Sequence, residues 1–231
     1  MTTTVCIVSG GADSACTAAH LKSNGHDLYL ITFYYGQRSR TEVERAKMIA
    51  SHLHAYEHKI VDLGFMKQLY KTSNVLTDVN SSIPKEFNYS IVVPIRNAIF
   101  ITIASAWASS IDAGMVAFGA HRDDFNYPDC RPQFVESINN MINLSEIDGI
   151  KKGLRKRIRI WCPTMDDMGK KDLLRIGYKF LGDKLFYTWS CYTDGIKHDN
   201  DLIHCGKCES CMNRKKAFIE AGIEDRTKYS E

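Results

Sequence analysis

The feature that most constrains this chain is an abrupt change of pattern near its start. An apolar run over residues 5–8 stops at Ser9, Gly10 and Gly11, and a helical pattern begins at once over 12–24, closed by Gly25. A strand that becomes a helix within three residues opens a strand–helix–strand unit, and such units build parallel sheets with helices on both faces. The alternation continues. Residues 27–35 and 56–63 read as strands, and between them Val43, Ala46, Ile49, Ala50 and Leu53 share one face at helical spacing. Residues 68–90 are rich in Ser, Asn, Asp and Thr without any period, which predicts a long loop or lid. Helices are expected over 97–111, 131–144 and 170–180, with strands over 114–120 and 157–163. From about Thr188 the pattern gives way to a cysteine-rich tail with one short helix near 212–221. The expected organisation is a Rossmann-like α/β domain over 1–187 and a small C-terminal module over 188–231.

Composition excludes several classes. The 30 basic and 27 acidic residues nearly cancel, so bulk charge does not announce a nucleic-acid binder. The start, "MTTTVCIVSGG", has neither a basic stretch nor a long apolar core, so no secretory signal is read and a cytoplasmic location is expected. The apolar stretch "AIFITIASAWASSI" is short for a membrane span and carries hydroxyls, which predicts a core helix and no membrane partner.

In an open parallel sheet, ligands sit beyond the carboxyl ends of the strands. A turn there offers free backbone N–H groups and the positive end of a helix, which together suit phosphate. Residues Val8, Ser9, Gly10, Gly11, Ala12, Asp13 and Ser14 are therefore the candidate phosphate clamp. The two glycines permit positive φ and close approach, the two serines offer hydroxyls, and Asp13 can orient the loop or hold Mg²⁺. Neither the Walker A pattern nor the dinucleotide fingerprint occurs, and taken alone the turn also suits an ordinary helix start.

Eight cysteines in a long chain without a secretory signal point to metal before disulfides. Cys191, Cys205, Cys208 and Cys211, with spacers of thirteen, two and two residues, can complete a closed tetrahedral Zn²⁺ site, which would be structural. His204 or His198 could replace one ligand, and Gly206 permits the turn between Cys205 and Cys208. Cys6, Cys16 and Cys162 read as small buried apolar residues.

The phrase Ser-Gly-Gly-x-Asp-Ser after a first strand resembles the pyrophosphate loop of the ATP-pyrophosphatase superfamily, whose fold is adenine nucleotide alpha hydrolase-like. Further phrases in order narrow the resemblance: "YYGQR" followed by Glu42 and Glu44, "VPIRN", "RDDFNYPDCRPQF", "DMGKKDLLRIG", "TWSCY" and "CGKCESCMNRKKAFIEAGIEDRTKY". Over nearly its whole length the chain resembles the QueC family of 7-cyano-7-deazaguanine synthases. That resemblance implies a homodimeric ligase that uses ATP and ammonia to turn 7-carboxy-7-deazaguanine into the nitrile, on the route to queuosine or archaeosine. The acid would be adenylated, aminated to an amide, then activated again and dehydrated. Both activations need positive charge near the leaving oxygens, for which Lys170 and Arg96 are candidates. Asp123 and Asp124 could bind Mg²⁺ or steer ammonia, or simply cap a helix. Tyr127 could stack on the deazapurine, Asp129 accept from its N–H groups, and Arg131 pair with the carboxylate. Cys130 invites a nucleophile reading, which direct adenylation does not require.

The chain departs from the family pattern at three places. Ile95 stands where the pattern has Gly before the Arg-Asn pair, the spacer between Cys191 and Cys205 is longer than usual, and "KKGLRKRIR" (151–159) carries six basic residues. The last reads as a solvated hairpin, with a dock for nucleic acid or an acidic partner as the sharper reading. Three alternatives follow: a relative that stops at the amide, a tRNA sulfur transferase sharing the loop, and a zinc-ribbon binding module without catalysis. No glutaminase-like segment is read, so free ammonia or a partner supplies the nitrogen.

Overall fold

The computed structural model describes residues 2–198 and 201–230. The chain runs β1 (Thr3–Ile7), α1 (Ala12–Ser23), β2 (Asp27–Tyr34), α2 (Thr41–His52), β3 (Glu57–Asp62) and a short α3 (Met66–Tyr70). It continues through α4 (Arg96–Ser110), β4 (Met115–Ala117), α5 (Pro132–Ser145), a short α6 (Ile147–Lys151), β5 (Arg159–Trp161) and α7 (Lys170–Leu181). A hairpin, β6 (Ile196–His198) and β7 (Asp201–Ile203), and the helix α8 (Glu209–Ala221) complete it.

The first five strands form one parallel sheet in the order β3-β2-β1-β4-β5. Period-two alternation sorts their side chains. Val5, Ile31, Phe33, Val116 and Ile160 pack in one core with Phe100, Ile101 and Ala104 of α4 and Val135 and Ile138 of α5. Cys6, Leu28, Leu30, Ala117 and Trp161 face the other way, toward α1, α2 and α7. The apolar stretch at 98–111 is thus a core helix, as its hydroxyl-bearing composition suggests. Cys6, Cys16 and Cys162 are fully buried.

The sheet grows outward from β1 in both directions, so the chain diverges at the ends of β1 and β4 and leaves a crevice there. Close approach is built into its walls. A Cβ on Gly119, just past β4, would lie 2.9 Å from backbone atoms of Ser14, and one on Gly177 would lie 2.1 Å from the Cys16 sulfur. Those two glycines let β4 and α7 press against the first turns of α1.

The loop at 68–90 is fastened rather than free. Buried Asn74 donates to the carbonyls of Ser90 and Val92, both at 2.9 Å, and Arg38 donates to the Ser81 carbonyl at 2.7 Å. The basic stretch is exposed over 151–157, with Lys156 paired to Asp112 at 2.5 Å and Arg155 to Glu146 at 3.7 Å. In the tail, Ala217, Phe218 and Ala221 of α8 join the core of α1 and α7. The fully buried Arg214 donates to Thr188 Oγ1 (2.8 Å), Ser190 Oγ (3.1 Å), Thr227 Oγ1 (2.9 Å) and the Leu185 carbonyl (3.2 Å). The hairpin lies within the spacer between Cys191 and Cys205, of which Asp199 and Asn200 lie outside the described residues.

Candidate active site

The turn after β1 folds on its own hydroxyls. Ser14 Oγ accepts from the Ser9 backbone N–H at 3.1 Å and donates to the Gly11 carbonyl at 3.2 Å, while Ser9 Oγ accepts from the Gly11 N–H at 3.2 Å. Gly10 adopts φ +94°, and a Cβ there would lie 2.1 Å from the Glu42 carbonyl oxygen. Only glycine fits. Gly11, expected to share that freedom, instead has φ −74° as the residue before α1. Its smallness serves contact, since its Cβ would be 3.2 Å from Ser9 Oγ.

Asp13, in the first turn of α1, accepts at Oδ2 from Lys170 Nζ at 2.9 Å. Burial alone would raise the Asp13 pKa, but the charges of Lys170 and His121 outweigh it and hold the carboxylate below its ordinary value. Burial likewise works against the Lys170 ammonium, and the Asp13 and Asp124 carboxylates more than restore it. The pair is ionic, with a cation held at the loop as the sequence suggested for Lys170. Asp123 sits differently. Its Oδ2 accepts from the Lys170 backbone N–H at 2.8 Å, and Arg122 approaches its other oxygen at 3.6 Å. That carboxylate caps α7, so it is Asp124 that faces the loop side of the crevice. Lys170 on Asp13 Oδ2 and the α7 cap on Asp123 Oδ2 leave too few free carboxylate oxygens for a Mg²⁺ held by the protein alone.

Two cavities meet here. One of about 250 Å³ is lined by Val8, Ser9, Ser14, Gln37, Glu42 and Arg96, among others. A wider cleft of about 910 Å³ is lined by Phe87, Tyr127, Asp123, Lys170 and Glu209, among others, and Asp124 lines both. Arg96 donates to Tyr35 Oη at 3.2 Å. Burial pushes the Glu42 carboxyl up to about 8 despite the nearby Arg96, so an uncharged acid faces the smaller cavity. Tyr127 lies edge-to-face with Phe87, ring centres 5.4 Å apart, and burial raises its pKa. Burial also keeps the Cys130 thiol well above its ordinary pKa, which agrees with setting it aside as a nucleophile.

The structure does not bring every sequence candidate to the cavities. Arg131 donates from Nε to the Phe125 carbonyl at 2.9 Å and stacks over the Phe125 ring at 4.7 Å, lining neither space. It fastens the 125–131 turn instead. Asp129 also lines neither, although Arg96 feels its charge. Conversely, sequence reasoning assigned no role to Gln37, His121, Tyr192 or Arg214. Gln37 lies within "YYGQR" and Tyr192 within "TWSCY", so those phrases carried the signal. Nothing marked His121 before the fold placed it beside Asp13.

The four cysteine sulfurs lie within 4.8 Å of one another, the one such group among the described residues. Backbone N–H groups of Cys205 and Cys208 point at the sulfurs of Cys191 (3.5 Å) and Cys205 (3.4 Å), which supports thiolates. The all-sulfur donor set fits Zn²⁺. His204 is otherwise engaged: its Nε2 accepts from the Ser190 N–H at 3.1 Å, and its ring packs 4.2 Å from Trp189. His198 is exposed on β6, outside the sulfur group. The cluster touches the loop through the chain, because the Trp189 N–H donates to the Gly10 carbonyl at 2.8 Å.

The family model of the queuosine biosynthesis protein QueC matches residues 3–222. The chain belongs to the QueC family. A 7-cyano-7-deazaguanine synthase of Methanocaldococcus jannaschii is 36% identical, covering 98% of this chain and 99% of that protein. One of Pseudomonas fluorescens is also 36% identical, covering 97% and 94%. Among solved structures, a 4-thiouridine synthetase–RNA complex with bound ATP shares the fold, with a TM-score of 0.54 and 16% identity over 96% of this chain and 51% of that one.

Proposed function

We propose that this QueC-family chain is an ATP-dependent ligase that converts 7-carboxy-7-deazaguanine and ammonia into 7-cyano-7-deazaguanine through an adenylated acid and an amide. The observation that carries the reading is the half-buried Asp13–Lys170 ion pair set against the hydroxyl-lined turn after β1. The backbone N–H groups at the start of α1 and the Lys170 ammonium receive the ATP phosphates, and Lys170 stabilises charge that grows on the leaving oxygens. The N–H groups of residues 9–14 and the Ser9 and Ser14 hydroxyls supply the cradle, Arg96 the second cation, and Mg²⁺ arrives with ATP as part of that substrate. Tyr127 and Phe87 take the deazapurine ring in the wider cleft, which sets the carboxylate toward Lys170. The cysteines hold Zn²⁺ as a structural ion, and we divide the chain by role into an ATP-binding unit (1–187) and a zinc module (188–231). Family resemblance carries the homodimer and the cytoplasmic location.

The test is incubation with ATP, ammonium and 7-carboxy-7-deazaguanine, followed by mass analysis. Formation of the nitrile, with the amide passing through as an intermediate, is expected. Accumulation of the amide as end product, or no consumption of the acid while a thiolated tRNA forms with a sulfur donor, overturns the reading.

A further inference from the structure

Beside the phosphate loop lies a buried imidazole that the adenylation step does not use. His121 follows β4 and is 3% exposed, yet neither of its ring nitrogens has a hydrogen-bond partner. Its Nε2 stands between two carboxylates, 3.6 Å from Asp13 Oδ1 and 3.5 Å from Asp124 Oδ1. Asp13 Oδ1 is itself buried and unpartnered. Asp124 is fixed by a second contact, its Oδ2 accepting from the His121 backbone N–H at 3.1 Å. Its side chain is 26% exposed, and it is the acid that lines both the loop cavity and the wide cleft. The neighbouring Asp123, by contrast, is occupied as the cap of α7.

Ammonia in neutral water is mostly ammonium, which has no lone pair to attack with. Something must take its proton where the carboxyl carbon waits. We propose that Asp124, positioned by His121, is the proton acceptor for the ammonia step of the ligase reaction; the inference rests on that reading of the activity. Ammonium gives one proton to Asp124, whose carboxyl stands 3.5 Å from His121 Nε2 and is 26% exposed, so that it releases the proton to solvent through the wide cleft. The freed nitrogen lone pair forms the C–N bond to the acyl adenylate, and the adduct loses a second proton from nitrogen to Asp124, which has released the first. Collapse then breaks the C–O bond to phosphate, AMP leaves with the electron pair, and the amide remains. The balance is acyl adenylate plus ammonium giving amide, AMP and two protons. Asp124 touches the nucleophile; His121 is its positioning group.

Asp124→Asn and His121→Asn separate this step from adenylation. ATP–pyrophosphate exchange with 7-carboxy-7-deazaguanine, without ammonium, reports adenylation alone. Amide formation with ammonium should fall about 10²-fold in each variant, far more than exchange does. Hydroxylamine, which is largely unprotonated at neutral pH, should restore most of the lost rate, because it needs no proton removed before attack. A misfolded site would not be rescued. Equal losses of exchange and amide formation, an unchanged ammonium rate, or no rescue by hydroxylamine overturns the proposal. Absence of exchange in the unaltered protein would instead sink the ligase reading itself.

Discussion

Single side chains at this site are tuned by burial against charge, and the two effects predict opposite outcomes at two carboxyls. At Asp13 charge wins, since Lys170 at 2.9 Å holds it ionised. Asp13→Ala should abolish turnover and leave the half-buried Lys170 without this partner, while zinc content and the far-ultraviolet circular dichroism stay unchanged. Near-normal turnover in that variant would remove the phosphate clamp from this loop. At Glu42 burial wins, raising the carboxyl from 4.5 to about 8. Below pH 4.5 the group is protonated whether the chain is folded or not, so it contributes nothing. Between 4.5 and 8 the unfolded chain releases a proton that the folded one keeps, and stability falls as pH rises; above 8 the full cost is present. Glu42→Gln, neutral throughout, should match the parent near pH 4.5 and exceed it by about 2–4 kcal/mol at pH 8.5. Denaturation curves that differ by a constant amount across that range would show that burial does not control this residue.

The elements show what sequence could and could not disclose. Period two and period 3.6 separated the five sheet strands from the main helices, because each buries a face of its own. They could not disclose the partners of the sheet edge. β5 is a terminal strand, and the N–H groups of Ile158 and Ile160 are met by the side-chain oxygens of Asn143 (3.1 Å) and Asn139 (2.9 Å) on α5. Asn139 and Asn143 are two of several polar residues on this amphipathic helix, and the pattern does not say which of them turn toward a sheet edge. The short α3 and α6 and the β6–β7 hairpin escaped for a similar reason, being too brief to repeat a period. The cysteine and glycine signals were legible because few conformations serve them. Ile95 is the exception among such positions. It precedes α4 at φ +60°, a left-handed conformation that a β-branched side chain resists, and it is 71% exposed. Ile95→Gly relieves that strain and gives up little burial. It should stabilise the protein by about 1 kcal/mol after the added freedom of the unfolded chain is counted, or about 2–4 °C in melting temperature. A lower melting temperature would show that the Ile95 side chain contributes a contact worth more than the strain.

At the scale of the molecule, one short segment ties the cysteine cluster to the turn after β1. Between Thr188 and Asp194 the chain donates from Trp189 N–H to the Gly10 carbonyl, supplies Cys191 to the sulfur group, and places Tyr192 in the loop cavity. It ends with Asp194, whose Oδ1 accepts from the Thr41 N–H at 3.0 Å and so caps α2, the helix whose Glu42 carbonyl presses on Gly10. Tyr192 also donates to Glu209 at 2.8 Å, in the first turn of α8, which carries Cys211. A metal held by the cluster would, by ordering Cys191, order three supports of the proposed nucleotide site at once. Cys208→Ser should lose zinc and lower the melting temperature, because site formation and folding are coupled. The same variant, still folded at low temperature, should bind a non-hydrolysable ATP analogue at least about tenfold more weakly, a loss of about 1.4 kcal/mol. A module that merely stabilised the tail would leave nucleotide affinity intact. Zinc loss with unchanged analogue binding, measured by calorimetry on protein whose circular dichroism matches the parent, would therefore break the link between the cluster and the loop.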